Sequence, residues 1–411
     1  NHRDDKFESF ITLAPEKKFD TRSNSFFVTY AIGVSTNRDA WVYNFSEAKI
    51  IENMQSMIDF YNEQTKKLEN EISENPDLKI EDRIDSNPTK ISWTRSLRRD
   101  SIRGIRHSFI ISEIKNSLYR PFCEQRIYNH KPFIESPGLW SQLFPSSKHN
   151  NLVICVSPSI NEGLSLLISD KIVNLHFNGD TQCFPLYFYE ENNNQQKSLF
   201  DDPNESEYIR RDGVSDFILN RAQKQYGKNV TKEDIFYYVY GFLHSQEYRI
   251  AFANDLKKML PRLPLVDDVR DFWKFSKAGR QLAELHIEYE SVPPYPEVKV
   301  KGDDSGYFKV QKMRFPKKGQ KDTIIFNSKI IISNIPDKAY KYVVNGKSAI
   351  EWIMERYQVT VDKKSQIKND PNDWSAEVGN PRYILDLLLS VINVSVQTVD
   401  LVNQLPRLNF T

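Results

Sequence analysis

From Glu47 onward, apolar residues recur at three- and four-residue steps. Ile51, Met54, Ile58, Tyr61, Leu68 and Ile72 fall on one side of a helix and charged residues fill the other. Ser46 stands where an N-cap is needed. The pattern reads as a long helix packed on a neighbour rather than a projecting coiled-coil arm. Before it, Ser25–Val34 suits a strand, followed by the polar turn Ser35–Asp39 and the aromatic residues Trp41, Tyr43 and Phe45. Residues 75–88 form a polar, acidic connector and the first candidate boundary. Leu152–Ser157, Leu164–Ile168 and Phe184–Tyr189 read as strands, and 192–205 as an exposed polar loop.

A helical region is expected from Ser206 to about residue 290, with Thr231 and Asp234 spaced as a capping box. The pattern returns to strand over Tyr307–Met313, Thr323–Ser333 and Lys338–Val344. Asn380-Pro381 should open a last helix whose apolar face holds Ile384, Leu388, Val391 and Val399. The expected class is therefore α+β: mixed β-sheet lobes, one carrying a basic hairpin, plus a helical subdomain. The divisions are 1–80, with the long helix, and 81–411, made of a β-rich part (85–190), a helical part (206–290), a β-hairpin lobe (291–370) and a C-terminal helix (380–402).

Composition narrows the function classes. The 411 residues are 39% hydrophobic and 27% charged, which fits a soluble globular chain. No run approaches the ~20 apolar residues that span a bilayer, so no membrane partner is expected. Cys123, Cys155 and Cys183 lack CxxC spacing, which favours the reducing cytoplasm over a disulfide framework or zinc site. The start, Asn1-His2-Arg3-Asp4-Asp5, has no initiator Met and no apolar signal core, and reads as that of an excised fragment.

Several catalytic motifs are nearly present, and each fails on one residue. Val292-Pro293-Pro294-Tyr295 is close to the (D/N/S)PP(Y/F) motif of amino-methyltransferases, but Val292 offers no side-chain acceptor for the amino group of a flipped base. Asn345-Gly346-Lys347-Ser348 ends like a P-loop, yet the first glycine position holds Lys341; a hairpin turn accounts for it better. There is no GxGxxG, no HExxH and no GxSxG. No catalytic residue, metal ligand or cofactor is assigned to this chain.

The charged residues sum to only +1, but the basic ones cluster. Asn87–Arg106 carries Lys90, Arg95, Arg98, Arg99, Arg103 and Arg106 against one acid, Asp100. On a helix, Arg95, Arg98/Arg99 and Arg103 fall near one face, and their planar forks suit pairs of phosphate oxygens. An arginine-rich surface neutralised by acids elsewhere is the equal alternative. The second cluster, Lys309, Lys312, Arg314, Lys317, Lys318 and Lys321, occupies thirteen residues without an acid. It surrounds the turn Phe315-Pro316-Lys317-Lys318-Gly319-Gln320 of an expected hairpin. Lysine and arginine can read guanine edges and Gln320 an adenine; the plainer alternative is a solvated hairpin whose lysines discourage edge pairing.

Phe236–Leu265 ties these features together. Its Gly241-Phe242-Leu243-His244-Ser245 and Leu260-Pro261-Arg262-Leu263-Pro264 resemble the LxGxLNS…(F)PRxPxP signature at the start of target-recognition domains in single-chain restriction–modification enzymes. Ser35–Asn44, Leu118–Phe122, Val153–Val156 and Asp180–Tyr187 precede it in collinear order. Together they resemble the C-terminal specificity region of type ISP enzymes over most of the chain, most weakly over 300–370.

That resemblance implies a target-recognition-domain-like fold and a module that binds double-stranded DNA. It places a nuclease, an ATP-driven translocase, a coupler and an adenine amino-methyltransferase upstream in the parent polypeptide. Residues 1–80 would follow the methyltransferase core. S-adenosylmethionine, ATP and magnesium are implied for the parent, none for this chain. The missing P-loop and NPPY then belong to other domains. Segments common to relatives that read different sites cannot encode the site, so Asn37-Arg38-Asp39 and Asn178–Gln182 are expected as scaffold or general phosphate contacts. A non-catalytic docking module with incidental basic patches stays open as the other reading.

Overall fold

The computed structural model describes residues 4–74, 83–192 and 207–410. Its centre is a four-stranded antiparallel sheet in the order Ala31–Ile32, Gln182–Pro185, Val153–Ser159, Gly163–Ser169. Strand residues alternate between faces, and here each face has its own core. Val153, Cys155, Leu167 and Cys183 enter one apolar cluster, while Ile154, Val156, Leu164, Leu166, Ile168 and Phe184 enter the other. Burial on both sides explains why Leu152–Ser157 is apolar without alternation.

The first core also holds a second four-stranded sheet, Tyr43–Asn44, Cys123–Tyr128, Ile114–Arg120 and Ile172–Val173, whose last pair is parallel. Against it lies the Glu47–Glu74 helix, burying Ile50, Met54, Met57, Ile58, Tyr61 and Leu68. Ser46 caps it as expected, accepting from the Lys49 amide, and Glu377 accepts from both the Ser46 hydroxyl and the Glu47 amide. The C-terminal helix, Tyr383–Asn403, fills the same core. It is long and apolar enough to cross a membrane by length and composition, but most of it is buried among its neighbours.

The second core is helical and aromatic. Lys232–Phe242, opened by the expected Thr231/Asp234 capping box, crosses Val269–Ile287 at two glycines. A Cβ on Gly279 would stand 1.9 Å from the Tyr237 carbonyl oxygen, and one on Gly241 would stand 2.1 Å from that of Phe275. Only glycine permits so close an approach of two backbones. Beyond the crossing, Tyr238 and Tyr248 donate to the carbonyls of Pro264 and Arg262. Arg262–Leu263 pairs with Ile11–Thr12, and Arg262 donates to Glu8 and Phe10. The glycine and the Arg-Leu-Pro run of the signature are therefore architectural.

Several expected elements differ. Ser25–Val34 is strand only at Ala31–Ile32; the rest changes partner, with bridges Phe27–Val214 and Val34–Asn174. Phe184–Tyr189 divides at Leu186, where the chain leaves the central sheet for a hairpin between Tyr187–Glu191 and Tyr208–Asp212. Helix therefore starts at Asp216, not near Ser206; residue 206, with the expected loop after 192 and most of the connector at 75–88, lies outside the described residues. Tyr307–Met313 is not a strand. The side chain of Asn372 bonds both backbone groups of Val310, and the Gln311 carbonyl accepts from the Val359 amide, which satisfies the segment without a ladder. Thr323–Ser333 supplies two short strands, Ile324–Ile325 and Ile331–Ser333, joined by Lys299–Lys301. Lys338–Val344 is largely a 3-10 turn, Asp337–Lys341, set up by Pro336. The last helix begins at Tyr383, because Asn380 bonds the Arg382 amide and closes a turn first. Asn345 and Gly346 take positive φ in a two-residue hairpin turn, and Ser348 then caps Ala349–Arg356, so the P-loop-like run is turn plus cap.

Both cores draw on residues from either side of 80/81. At their junction His286 joins the helical core to the C-terminal helix. Thr398 donates its hydroxyl hydrogen to Val394, so it accepts from His286 Nε2 at 2.8 Å; Nδ1 then accepts from the Tyr240 hydroxyl at 2.6 Å. This neutral tautomer satisfies every group. Burial, then the neighbouring His244, holds His286 well below its ordinary pKa. Burial and Arg249 push His244 down to about 3.

Two outcomes are expected. Gly279→Ala should lower stability by about 2–4 kcal/mol in urea unfolding, overpacking outweighing the ~1 kcal/mol alanine gains in helix propensity; a neutral or stabilising result would mean the helices do not cross so closely. Both histidines are neutral when folded and protonate near pH 6.5 when unfolded, so stability should fall as pH drops below about 6.5, each contributing up to about 1.4 kcal/mol per pH unit. Urea midpoints that stay level between about pH 7.5 and 5.5 would contradict it.

Candidate nucleic-acid interface

The first basic segment forms the expected helix, Arg95–Ile102, with Thr94 accepting from the Leu97 amide. Leu97 and Ser101 face inward, and Ser101 meets Thr65 of the Glu47–Glu74 helix at 3.2 Å. The arginines therefore point away: Arg95 and Arg99 are exposed and Arg98 half-buried. Arg103 lies past the last helical turn, as its C-cap. Lys90 is paired with Asp85 at 3.2 Å and lies over the Phe60 ring, Arg106 with Glu69 at 2.5 Å, and Arg99 more loosely with Asp100 at 3.8 Å. Such exposed pairs hold their partners weakly. Among the described residues Arg95, Arg98 and Arg103 have no carboxylate partner.

The second segment is a loop closed by two hydrogen bonds between Arg314 and Ile325, at 3.1 and 2.9 Å. Lys317 and Lys318 stand exposed at its tip, where Gly319 takes φ +86° and the Gln320 amide closes onto the Lys317 carbonyl. Lys312 and Arg314 are exposed on its stem, and Gln320 is half-buried. Lys321 departs from expectation. Its ammonium bonds Glu351 at 2.8 Å between the rings of Tyr340 and Phe315, 5.2 and 5.9 Å away. It braces the loop against the Ala349–Arg356 helix instead of extending the basic tip. Burial alone would raise the Glu351 carboxyl; Lys321 and Ser348 more than offset this, leaving it below its ordinary value. No hydrogen bond, ion pair or ring contact among the described residues joins the two basic segments.

The other family-like segments converge beside the first. Thr36 bonds Asp39, Asp39 accepts from Asn174, and Asn174 accepts from Arg120 at 2.8 Å. Tyr43 and Tyr119 meet at 4.7 Å between ring centres. Asn178 and Thr181 are buried and bonded to each other, and Asn178 also donates to Cys155. These side chains are spent on the framework, whereas Arg38 is a different matter. It is only 4% exposed. Its Nη2 donates to Thr94 Oγ1 at 2.7 Å and its guanidinium lies over the Phe133 ring at 5.9 Å, while its Nε and Nη1 have no hydrogen-bond partner among the described residues. Burial lowers its pKa to about 10, with Glu135 pulling the other way, so it stays charged. In sequence Asn37-Arg38-Asp39 is expected as scaffold or a general phosphate contact; the meeting of Arg38 with Thr94, 56 residues away, sets it apart from its neighbours. A broad groove of about 1170 Å³ opens elsewhere, lined by Lys115, Asn116, Asn129, His130, Lys131 and His149 among others.

This fold and these sequence segments define a specificity domain. Residues 25–387 match the Type ISP C-terminal specificity domain, and the chain belongs to that family. It is similar to a nuclease-deletion mutant of the Type ISP restriction-modification enzyme LlaGI in complex with a DNA substrate mimic, at 38% identity and a TM-score of 0.84, covering 100% of this chain and 35% of that one. Similarity extends to the ATP-dependent Type ISP restriction-modification enzyme LlaBIII bound to DNA (36% identity, TM-score 0.85, 100% and 25% covered) and to a DrdV–DNA complex (28%, 0.81, 98% and 39%). The chain thus spans 25–39% of the length of these relatives. No curated protein matches it.

Proposed function

We propose that this chain is the DNA target-recognition module of a single-polypeptide Type ISP restriction–modification enzyme. It binds duplex DNA and presents a target adenine to an upstream amino-methyltransferase domain of the same polypeptide. The parent would be an adenine-specific methyltransferase and ATP-dependent restriction endonuclease, using S-adenosylmethionine, ATP and magnesium on domains outside this chain. The observation that carries the reading is the full-length likeness to relatives whose structures hold DNA, in a chain that exposes Arg95, Arg103, Lys317 and Lys318 and half-exposes Arg98, the three arginines having no carboxylate partner among the described residues. Phosphate contacts position such a protein, and base contacts specify the site. The Lys317 loop, in the part of the chain where the sequence resemblance is weakest, is the candidate reader of bases.

One observation favours the docking reading. Ile102, Ile105, Ile110 and Ile111 are 45, 41, 39 and 62% exposed beside the first basic segment. So apolar a strip among arginines suits contact with another domain. The two readings are compatible if the strip meets the methyltransferase while the arginines meet DNA.

Fluorescence anisotropy with random duplex should show binding that weakens steeply with salt, with a log–log slope of about −0.9 per phosphate contact. Lys317→Glu/Lys318→Glu should weaken it and flatten the slope; salt-insensitive or absent binding would leave the docking reading. Exchanging residues 314–325 for the loop of a relative with a different site should change the sequence methylated by the parent enzyme. An unchanged site would remove the loop as the reader.

A further inference from the structure

The N-terminus of the Arg95–Ile102 helix carries the wrong charge for an isolated protein. A helix N-terminus is the positive end of its dipole and is normally met by an acid. Here the first turn holds no acid. Instead a buried guanidinium, Arg38, donates to the capping hydroxyl itself, with Arg95 and Arg98 alongside. Arg38 is more than nine-tenths buried, two of its nitrogens have no hydrogen-bond partner among the described residues, and Glu135 is the nearby carboxylate that acts on it, without a hydrogen bond. Positive charge gathered this way is costly until an anion arrives.

Hydrogen positions follow from counting. Thr94 Oγ1 accepts from Arg38 Nη2 at 2.7 Å and from the Leu97 amide at 3.4 Å, which uses both lone pairs. Its own hydrogen must therefore go to Ser96 Oγ, 2.9 Å away. The Ser96 hydroxyl hydrogen is left free to point outward, polarised by the chain behind it. Among the described residues the amides of Arg95 and Ser96 have no acceptor either. Arg95 is exposed and Ser96 half-exposed, so this end of the helix is open to a ligand.

We propose that the start of this helix is a seat for one phosphodiester of duplex DNA, held by the Arg95 and Ser96 amides, the Ser96 hydroxyl and Arg98, with Arg38 as the buried positioning charge that orients the Thr94–Ser96 relay. Helix N-termini are anion sites by construction, and here the buried charge and the relay strengthen one. The seat rests on the DNA-recognition reading, and it gives grip rather than sequence choice.

The test is anisotropy of the 411-residue chain with random duplex and, separately, its thermal unfolding in inorganic phosphate against chloride at matched ionic strength. Ser96→Ala removes the terminal donor of the relay together with the acceptor for the Thr94 hydroxyl, and Arg38→Met removes the charge behind it. Each should weaken duplex binding by about 3- to 10-fold at low salt. Arg38→Met should also reduce the salt slope by about one, and the double variant should lose less than the product of the two single effects, because both act through one relay. Ser96→Ala matching wild type in both duplex binding and phosphate stabilisation would overturn the seat and leave the DNA reading standing, even if Arg38→Met fails to fold. Effects that multiply would overturn the relay. Failure of the wild-type chain to bind duplex at low salt would overturn both seat and reading. Phosphate stabilisation lost in Ser96→Ala with duplex affinity unchanged would assign the seat to a free phosphate and overturn the DNA occupant.

Discussion

One sheet serves as the wall of two cores, and the rest of the molecule is arranged around that constraint. Because alternate residues of Val153–Ser159 enter different clusters, its register is specified from both sides. A one-residue slip would exchange the two sets at once. The strands beside it obey the same parity, and Cys155 and Cys183 face each other across it with sulfurs 3.7 Å apart. Loops leaving such a wall inherit fixed origins. The Ser35–Asp39 turn, which follows Ala31–Ile32 of this wall, is tied by a chain of side-chain bonds to Asn174, just past the last strand of the second sheet, and through it to Arg120 of that sheet. A specificity domain needs this rigidity, since side chains that discriminate bases must be held in place.

The same division explains what could be read without coordinates. The Glu47–Glu74 helix, the Thr231 capping box and the Asn345-Gly346 turn were legible because each is set by its own neighbours in sequence. Residues governed by distant partners were not. Tyr307–Met313 has the composition of a strand, but Asn372 takes the backbone bonds a ladder would have used. Tyr208–Asp212 looked like the edge of a helical region until Tyr187–Glu191 came to pair with it. Lys321 is indistinguishable in sequence from Lys317 and Lys318; Glu351, thirty residues on, makes it a brace. The candidate site was legible to the same extent: clusters of arginine and lysine were visible, their division into paired, bracing and free members was not.

Arg38 lies at the far end of that scale. In sequence it sits in a polar turn and is expected only as scaffold or a general phosphate contact. In the fold it stands beneath a helix start where three other helices place acids: Glu377 at Glu47, Asp234 at Lys232, Asp268 at Val269. Those helices are complete in themselves. The Arg95–Ile102 helix, short and supported by its contact with the Glu47–Glu74 helix, tolerates the opposite arrangement because packing, rather than its own ends, keeps it folded. Local rules are broken most readily where function requires it and the framework can bear the cost. A helix start left uncompensated on a rigid support binds an anion by removing a penalty, as well as by forming new bonds. On that argument the framework that holds the specificity domain together also prepares the proposed phosphate seat.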